Sequence, residues 1–410
     1  MSHWASRLPF HYGWVIVFAG VLNIFACFGL ARFAFGVLLP GMRLGLALGY
    51  DQMGYISTGN FAGYLASVAL TPLLTRMLGA RVLIVSALLL ISGCMLGISH
   101  SHRFATVLGL YFLVGVGGGF ANIPTMILAS RWFRRERRGR AAGLMVAGSG
   151  VGMIFSGFLI PHLNRVLGAE GWRTGWLILG LITLGCAATA AILVRNSPAD
   201  LGLQPCGRDA APPAPGLASA EAVGATHILL RLGALYLIFG ATYMVYGTFI
   251  VTALVVEFGF PETRAGLLWS WVGFFSLFSG VTFGTLSDRI GRKGGLVVVF
   301  LIQTAAYLLA GSGFGNTSLL LSVFLYGISA LAIPAIMAVT VGDYLGLSRA
   351  AAAFSAITLF FAIGQIMGPA ASGILAEASG TLTSGFLASA ALTGCAALLA
   401  AFLPRPGATD

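Results

Sequence analysis

Twelve apolar stretches separated by short polar breaks follow one another along this chain. They begin near Tyr12, Gln52, Arg81, Phe104, Ala141, Thr174, Leu232, Ala265, Gly295, Thr317, Ala350 and Thr381. Each supplies the roughly 20 residues that a helix needs to cross about 30 Å of hydrocarbon. Ten-residue alternating patterns are absent, so the stretches are expected to be helices and not barrel strands. Lipid offers the backbone no partners, and a helix satisfies its own. The expected fold is an all-α membrane protein with twelve transmembrane helices. The first stretch runs on to Pro40, beyond the roughly 7–15 residues of a signal-peptide core, and is read as the first span.

The longest polar break contains Pro198, Pro205, Pro212, Pro213 and Pro215 among Ala and Gly, a linker composition. It divides the chain into an N-terminal six-helix bundle (1–194), a linker (195–230) and a C-terminal six-helix bundle (231–410). The halves are faintly self-similar. Ile123-Pro124 recurs as Ile333-Pro334, and Arg76, Gly79 and Arg81 form a degraded copy of Arg289, Gly291 and Lys293.

Composition agrees with a lipid environment. Of 410 residues, 58% are hydrophobic and only 9% charged, against about 25% charged in soluble domains. The net charge of +11 could suggest nucleic acid, but its placement argues otherwise. With the N-terminus in the cytoplasm, seventeen of the 23 basic residues fall on the cytoplasmic side, five on the other, and Arg32 inside a span. That is the bias which orients membrane proteins, so both termini and the linker are expected in the cytoplasm, and no nucleic-acid partner is implied. The five cysteines form no C-x-x-C pair and read as small apolar fillers, with no metal site.

Between spans eight and nine lies Gly284-Thr285-Leu286-Ser287-Asp288-Arg289-Ile290-Gly291-Arg292-Lys293. This G-x-x-x-D-R-x-G-R-K pattern resembles the cytoplasmic-loop signature of the major facilitator superfamily. Phe10-His11-Tyr12-Gly13-Trp14, Trp132-Phe133 with Arg137-Arg138-Gly139-Arg140-Ala141-Ala142-Gly143, and Pro198-Ala199-Asp200-Leu201-Gly202-Leu203-Gln204-Pro205 resemble bacterial monocarboxylate and oxalate/formate-type carriers. Gly29-Leu30-Ala31-Arg32-Phe33-Ala34-Phe35 through Leu38-Leu39-Pro40-Gly41-Met42 resembles the YbfB/YjiJ-type carriers. The resemblance implies two parallel repeats with a midplane site, a multi-pass protein of the bacterial inner membrane, and a functional monomer. It also implies that Gly284, Asp288, Arg289 and Arg292 form an inner gate that opens during transport, with Asp343 a partner for Arg289 or for the arginines of 131–140. Monocarboxylate carriers place an acid-arginine pair in span eight. Residues 265–286 carry no charge, so another cation must hold an anion.

Arg32 is that cation. It lies eighteen residues past Trp14, about 27 Å along a helix rising about 1.5 Å per residue, in the outer half of the membrane. Its planar fork suits a carboxylate, although it could instead snorkel outward or pair with Asp51. Phe25, Phe28 and Arg32 share a helical face, whereas Asn23 points nearly opposite. The resemblance makes spans one, four, seven and ten line the cavity. Asn122 beside the helix-breaking Pro124, the stripe Phe239, Tyr243 and Tyr246, and Tyr326 with Ser329 are therefore candidate substrate contacts, joined by Gln365 on the polar face of span eleven. Each could equally be helix-packing glue.

The glycine runs do not complete G-x-G-x-x-G, and no phosphate-binding loop occurs, so no nucleotide cofactor is implied. Gly148/Gly152, Gly280/Gly284 and Gly364/Gly368 have the spacing of close helix contacts, with Pro369 kinking span eleven. No histidine lies clearly within a span, which leaves Asp51 and Glu257 as candidates for coupling to protons. With no H-E-x-x-H and no G-x-S-x-G, the chain is not expected to be an enzyme. The expectation is a proton-linked secondary transporter of a monocarboxylate or related organic anion; the alternative is an exporter of apolar drugs or metabolites, in keeping with its 29 Phe.

Overall fold

A computed structural model of the chain describes residues 9–207, 222–346 and 349–404. His3, Arg7, Arg208, Pro212, Pro213, Pro215 and Arg405 lie outside the described residues. Among the described residues the fold is helical throughout, apart from one isolated bridge between Phe133 and Cys206.

Ten helical stretches are long and apolar enough to cross a membrane. Two of them, at 50 and 58 residues, exceed any single crossing, and both are interrupted. Gly79, at φ 79° and ψ 158°, breaks Tyr50–Ser99. A 3-10 turn, Gly168–Glu170, breaks the other. The helices are α1 (Gly13–Leu46), α2 (50–78), α3 (80–99), α4 (Phe104–Trp132), α5 (Arg135–Leu167), α6 (Gly171–Leu193), α7 (Ala222–Val256), α8 (Glu262–Ile290), α9 (Arg292–Gly311), α10 (Asn316–Leu345), α11 (Ala350–Ser379) and α12 (Thr383–Ala401).

Gly79 and Gly291 are the equivalent glycines of the two loop copies, and they share one backbone conformation: Gly291 has φ 85° and ψ 157°. L-residues avoid positive φ, which explains why both copies carry glycine at this turn. The proline pair is less symmetric. Pro124 sits inside an unbroken α4, contrary to its reading as a helix breaker. In α10 the helix does break, at 330–331, where Leu331 N donates to Ser279 Oγ at 3.2 Å. α5 begins at Arg135, earlier than hydropathy alone suggests, so Arg137, Arg138 and Arg140 ride on its first turns.

The chain packs as two compact units, residues 1–47 with 59–212 and residues 48–58 with 213–410. In the first unit α1 and α5 touch backbone to backbone. A Cβ on Gly29 would lie 2.7 Å from Gly152 Cα, and one on Gly148 would run into the Val21 carbonyl. In the second unit Gly364 and Gly368 press in the same way on the carbonyls of Leu237 and Ala241. The Gly280/Gly284 pair does not behave so. Gly280 has ordinary contact with Ala335, and Gly284 faces open space.

The three local motifs at the start of α1, the α4–α5 turn and the tail of the first half converge in the first unit. Tyr12 OH donates to Leu193 O at 2.9 Å, Trp132 Nε1 donates to Arg195 O at 3.1 Å, and the His11 ring bonds Gln204 O at 2.9 Å. Burial pushes the Tyr12 phenol up, and Arg195 and Arg81 draw it partly back.

Candidate functional site

Arg32 sits in a π-helical segment of α1, Phe25–Phe33, closed by Ala34 N donating to Gly29 O at 3.1 Å. Such wide turns recur at functional sites because they rotate side chains out of the α-helical register. Here the turn keeps Phe28 beside Arg32 but sends Phe25 to Phe155, 6.0 Å away, so the expected shared face of three residues is reduced to two.

The Arg32 guanidinium is enclosed by aromatic faces. Its carbon lies 4.5 Å from the Phe28 ring centre, 4.7 Å from Tyr64 and 4.9 Å from Phe61. Nε donates to Asn60 Oδ1 at 3.2 Å, and Asn60 Nδ2 donates to Tyr111 O at 3.1 Å. The Tyr111 hydroxyl returns to Arg32 O at 3.3 Å. At 7% exposure Arg32 is buried, and its Nη2 has no hydrogen-bond partner among the described residues. Among the described residues of the first unit no carboxylate is bonded to it. Each ring face offsets about 0.5–2 kcal/mol, against several kcal/mol for a buried unpaired charge. Arg32 is the only charged side chain among the buried residues described. Nε is thus engaged by Asn60, while Nη2 is enclosed without a partner.

Asn122 belongs to the same site, through its Nδ2 bond to Tyr64 OH at 3.1 Å. Gly118 opens beside it: a Cβ there would lie 4.0 Å from both Arg32 Nη2 and the Phe28 ring. Asn23 turns away to Thr125 Oγ1, as its position opposite Arg32 suggested. Asn60, Phe61 and Tyr64 lie on α2, outside the spans one, four, seven and ten that the resemblance makes cavity-lining. The available signal was a polar Asn within an apolar span, followed by an aromatic residue one turn on.

Tyr243, Tyr246, Tyr326 and Gln365 gather in the second unit. Gln365 Nε2 donates to Tyr243 OH at 3.1 Å, and Tyr326 OH donates to Tyr243 O at 2.7 Å. The stripe predicted along α7 divides. Phe239 and Tyr243 stack with Tyr236 and Phe361, whereas Tyr246 stacks on Tyr326 at 4.0 Å and bonds Ser322 Oγ at 2.8 Å. Ser329 bonds back to Leu325 O within its own helix.

At the α8–α9 turn Arg292, not Arg289, is the organising cation. Its Nε donates to Asp343 Oδ2 at 2.6 Å, and its Nη1 bridges to Asp288. Within the second unit Asp343 thus pairs with Arg292 and not with the expected Arg289. Gly291 turns the chain back so that the start of α9 reaches the end of α10, while Arg289 is exposed. Glu257 caps α12, accepting Leu382 N at 2.5 Å and Thr381 Oγ1 at 3.0 Å. Asp51 is half-buried beside Gly49, whose neighbour Tyr50 donates its N–H to Glu377 at 2.8 Å.

Comparison with known proteins bears on this arrangement. The profile of a family described as "Uncharacterised MFS-type transporter YbfB" matches residues 24–401. Rat monocarboxylate transporter 4 is 26% identical over 394 residues, covering 90% of this chain and 78% of that protein. Human monocarboxylate transporter 11 is 26% identical over 419 residues, covering 96% and 83%. Among solved structures, an inward-facing bacterial homologue of the human lysosomal transporter Spinster superposes with a TM-score of 0.75 at 16% identity, covering 95% of this chain and 96% of that one. A D-xylose-proton symporter does so with a TM-score of 0.75 at 15% identity, covering 97% and 99%.

Proposed function

The chain belongs to the YbfB family of MFS-type transporters, and on that premise we propose that it is a secondary carrier of a small organic monocarboxylate, working by alternating access and coupled to protons. It is a membrane transporter and not an enzyme. The observation that carries the substrate reading is the unpartnered Nη2 of the buried Arg32. A carboxylate on that nitrogen relieves the cost of the buried charge. Phe28, Phe61 and Tyr64 give the bound acid an apolar surround, and the relatives named monocarboxylate transporters support the same class.

In this reading each of the two long interrupted stretches crosses twice. That gives twelve crossings, two bundles over 1–194 and 231–410 joined by a linker at 195–230, cytoplasmic termini, and a monomer working in a bacterial inner membrane. Tyr243, Tyr246, Tyr326 and Gln365 are the candidate substrate contacts of the second unit. The Arg292 cluster with Asp288 and Asp343 serves as the inner gate, with Gly284 and Arg289 as the flanking motif positions. Asp51 is the preferred proton carrier, because Glu257 is committed to capping α12.

The test is uptake of radiolabelled lactate into proteoliposomes, with and without an inward proton gradient, with benzoate and succinate as competitors. Saturable, gradient-stimulated uptake that benzoate inhibits, succinate spares and Arg32→Ala abolishes is the expected result. Transport indifferent to Arg32→Ala would overturn the assignment of the anion site. It would favour an exporter of apolar compounds.

A further inference from the structure

α1 and α5 start at the same end of the first unit and run side by side, Gly20 against Met145 and Val21 against Gly148. At that end Arg140 lies over the Trp14 ring, 5.8 Å from its centre, and Trp14 packs edge-on against Phe133 at 5.3 Å. Arg137 is one turn before Arg140 on the same face of α5, with its side chain 50% exposed. One turn deeper the two helices present only apolar groups: Phe18 on α1 is 55% exposed, and Leu144 on α5 is 44% exposed. A Cβ on Gly143, between Arg140 and Leu144 on α5, would meet nothing within 4 Å.

Orientation of the chain in the membrane would be served equally well by arginines swinging freely. Arg140 instead lies over an aromatic ring, and Arg137 is steered by Glu136 at 3.4 Å and Cys206 Sγ at 3.7 Å. Several basic groups on the first turn of a helix also oppose its dipole, a cost that a bound anion would offset. We propose that this face binds an anionic phospholipid, its phosphate held by Arg137 and Arg140 and its acyl chains laid along Trp14, Phe18 and Leu144. Charge complementarity selects the headgroup, and the exposed apolar strip directly beneath selects a lipid over a free anion.

The test uses purified protein in neutral detergent micelles, titrated with brominated phosphatidylglycerol or brominated phosphatidylcholine while tryptophan quenching and thermal unfolding are followed. Each arginine contributes about five-fold to binding near an anionic surface, so phosphatidylglycerol should bind on the order of 25-fold more tightly than phosphatidylcholine. The double variant Arg137→Gln/Arg140→Gln, with helical circular dichroism retained, should lose that preference. Arg165→Gln, at the far end of α5, should keep it. Trp14→Phe should lose the phosphatidylglycerol-specific quenching while keeping the thermal preference. Equal binding of the two lipids, or a preference that survives in the double variant, would overturn the proposal. So would equal stabilisation by inorganic phosphate alone, which would point to a free anion.

Discussion

Arg32 and Asn60 are joined by one hydrogen bond, from Nε to Oδ1 at 3.2 Å, and that bond fixes one nitrogen of the guanidinium. Asn60 is itself fixed by its bond to Tyr111 O, so the pair is positioned by α2 and α4 together. With Nε engaged and three rings around the guanidinium, Nη2 stays enclosed without a partner, and in the proposed reading it meets the carboxylate. Asn60→Ala should therefore lower substrate affinity without touching substrate, and should cost about 1 kcal/mol of stability for the lost hydrogen bonds. Separate uptake and thermal-unfolding measurements distinguish the two effects.

Replacing Arg32 itself tests the charge and the fork independently. Arg32→Gln should raise KM about ten- to hundred-fold, the about 1.5–3 kcal/mol of a hydrogen bond to a charged group. Arg32→Lys keeps the charge but not the planar geometry, and should fall between wild type and Arg32→Gln. Initial uptake rates over a range of carboxylate concentrations read both variants.

Tyr64→Phe keeps the ring over Arg32 and removes only the hydroxyl that accepts from Asn122. The expected rise in KM is about five-fold, near 1 kcal/mol for one hydrogen bond, whereas Tyr64→Ala should lose the ring contribution as well. If the two variants behave alike in uptake, the ring has no part in holding the guanidinium.

The glycine motifs should separate by their surroundings. Gly29→Ala places a methyl against the Gly152 backbone, which cannot retreat, and should destabilise by about 1–3 kcal/mol. Gly284→Ala meets nothing within 4 Å inside a helix, and should be neutral or stabilising by up to about 1 kcal/mol. Thermal unfolding in detergent of the two variants side by side gives the comparison.

At the α8–α9 turn, a double-mutant cycle between Arg292→Gln and Asp343→Asn should show coupling. The same cycle between Arg289→Gln and Asp343→Asn should show none. Asp343 is 41% exposed at its side chain, so the coupling belongs to the screened range of about 0.2–1 kcal/mol. Transport rates of the same variants report whether this cluster gates the cycle.

Much of the fold was legible because it follows from local composition. A run of about 20 apolar residues in lipid must be helical whatever lies beside it, and Gly79 and Gly291 mark turns because only glycine takes their positive φ without strain. Arg32 was legible for the same reason, since a charge in such a run is costly wherever the run packs. The partners of Arg32 were not. Asn60, Phe61 and Tyr64 reach it from another helix, and a π turn, invisible in the residue pattern, removes Phe25 from the face it would share in an α-helix. The choice of Arg292 over Arg289 likewise depends on where the end of α10 comes to lie. Solvent preference acts on each residue separately and can be read along the chain, whereas hydrogen bonds and ring contacts need two groups within a few ångströms, a distance that only the packing of separate helices sets.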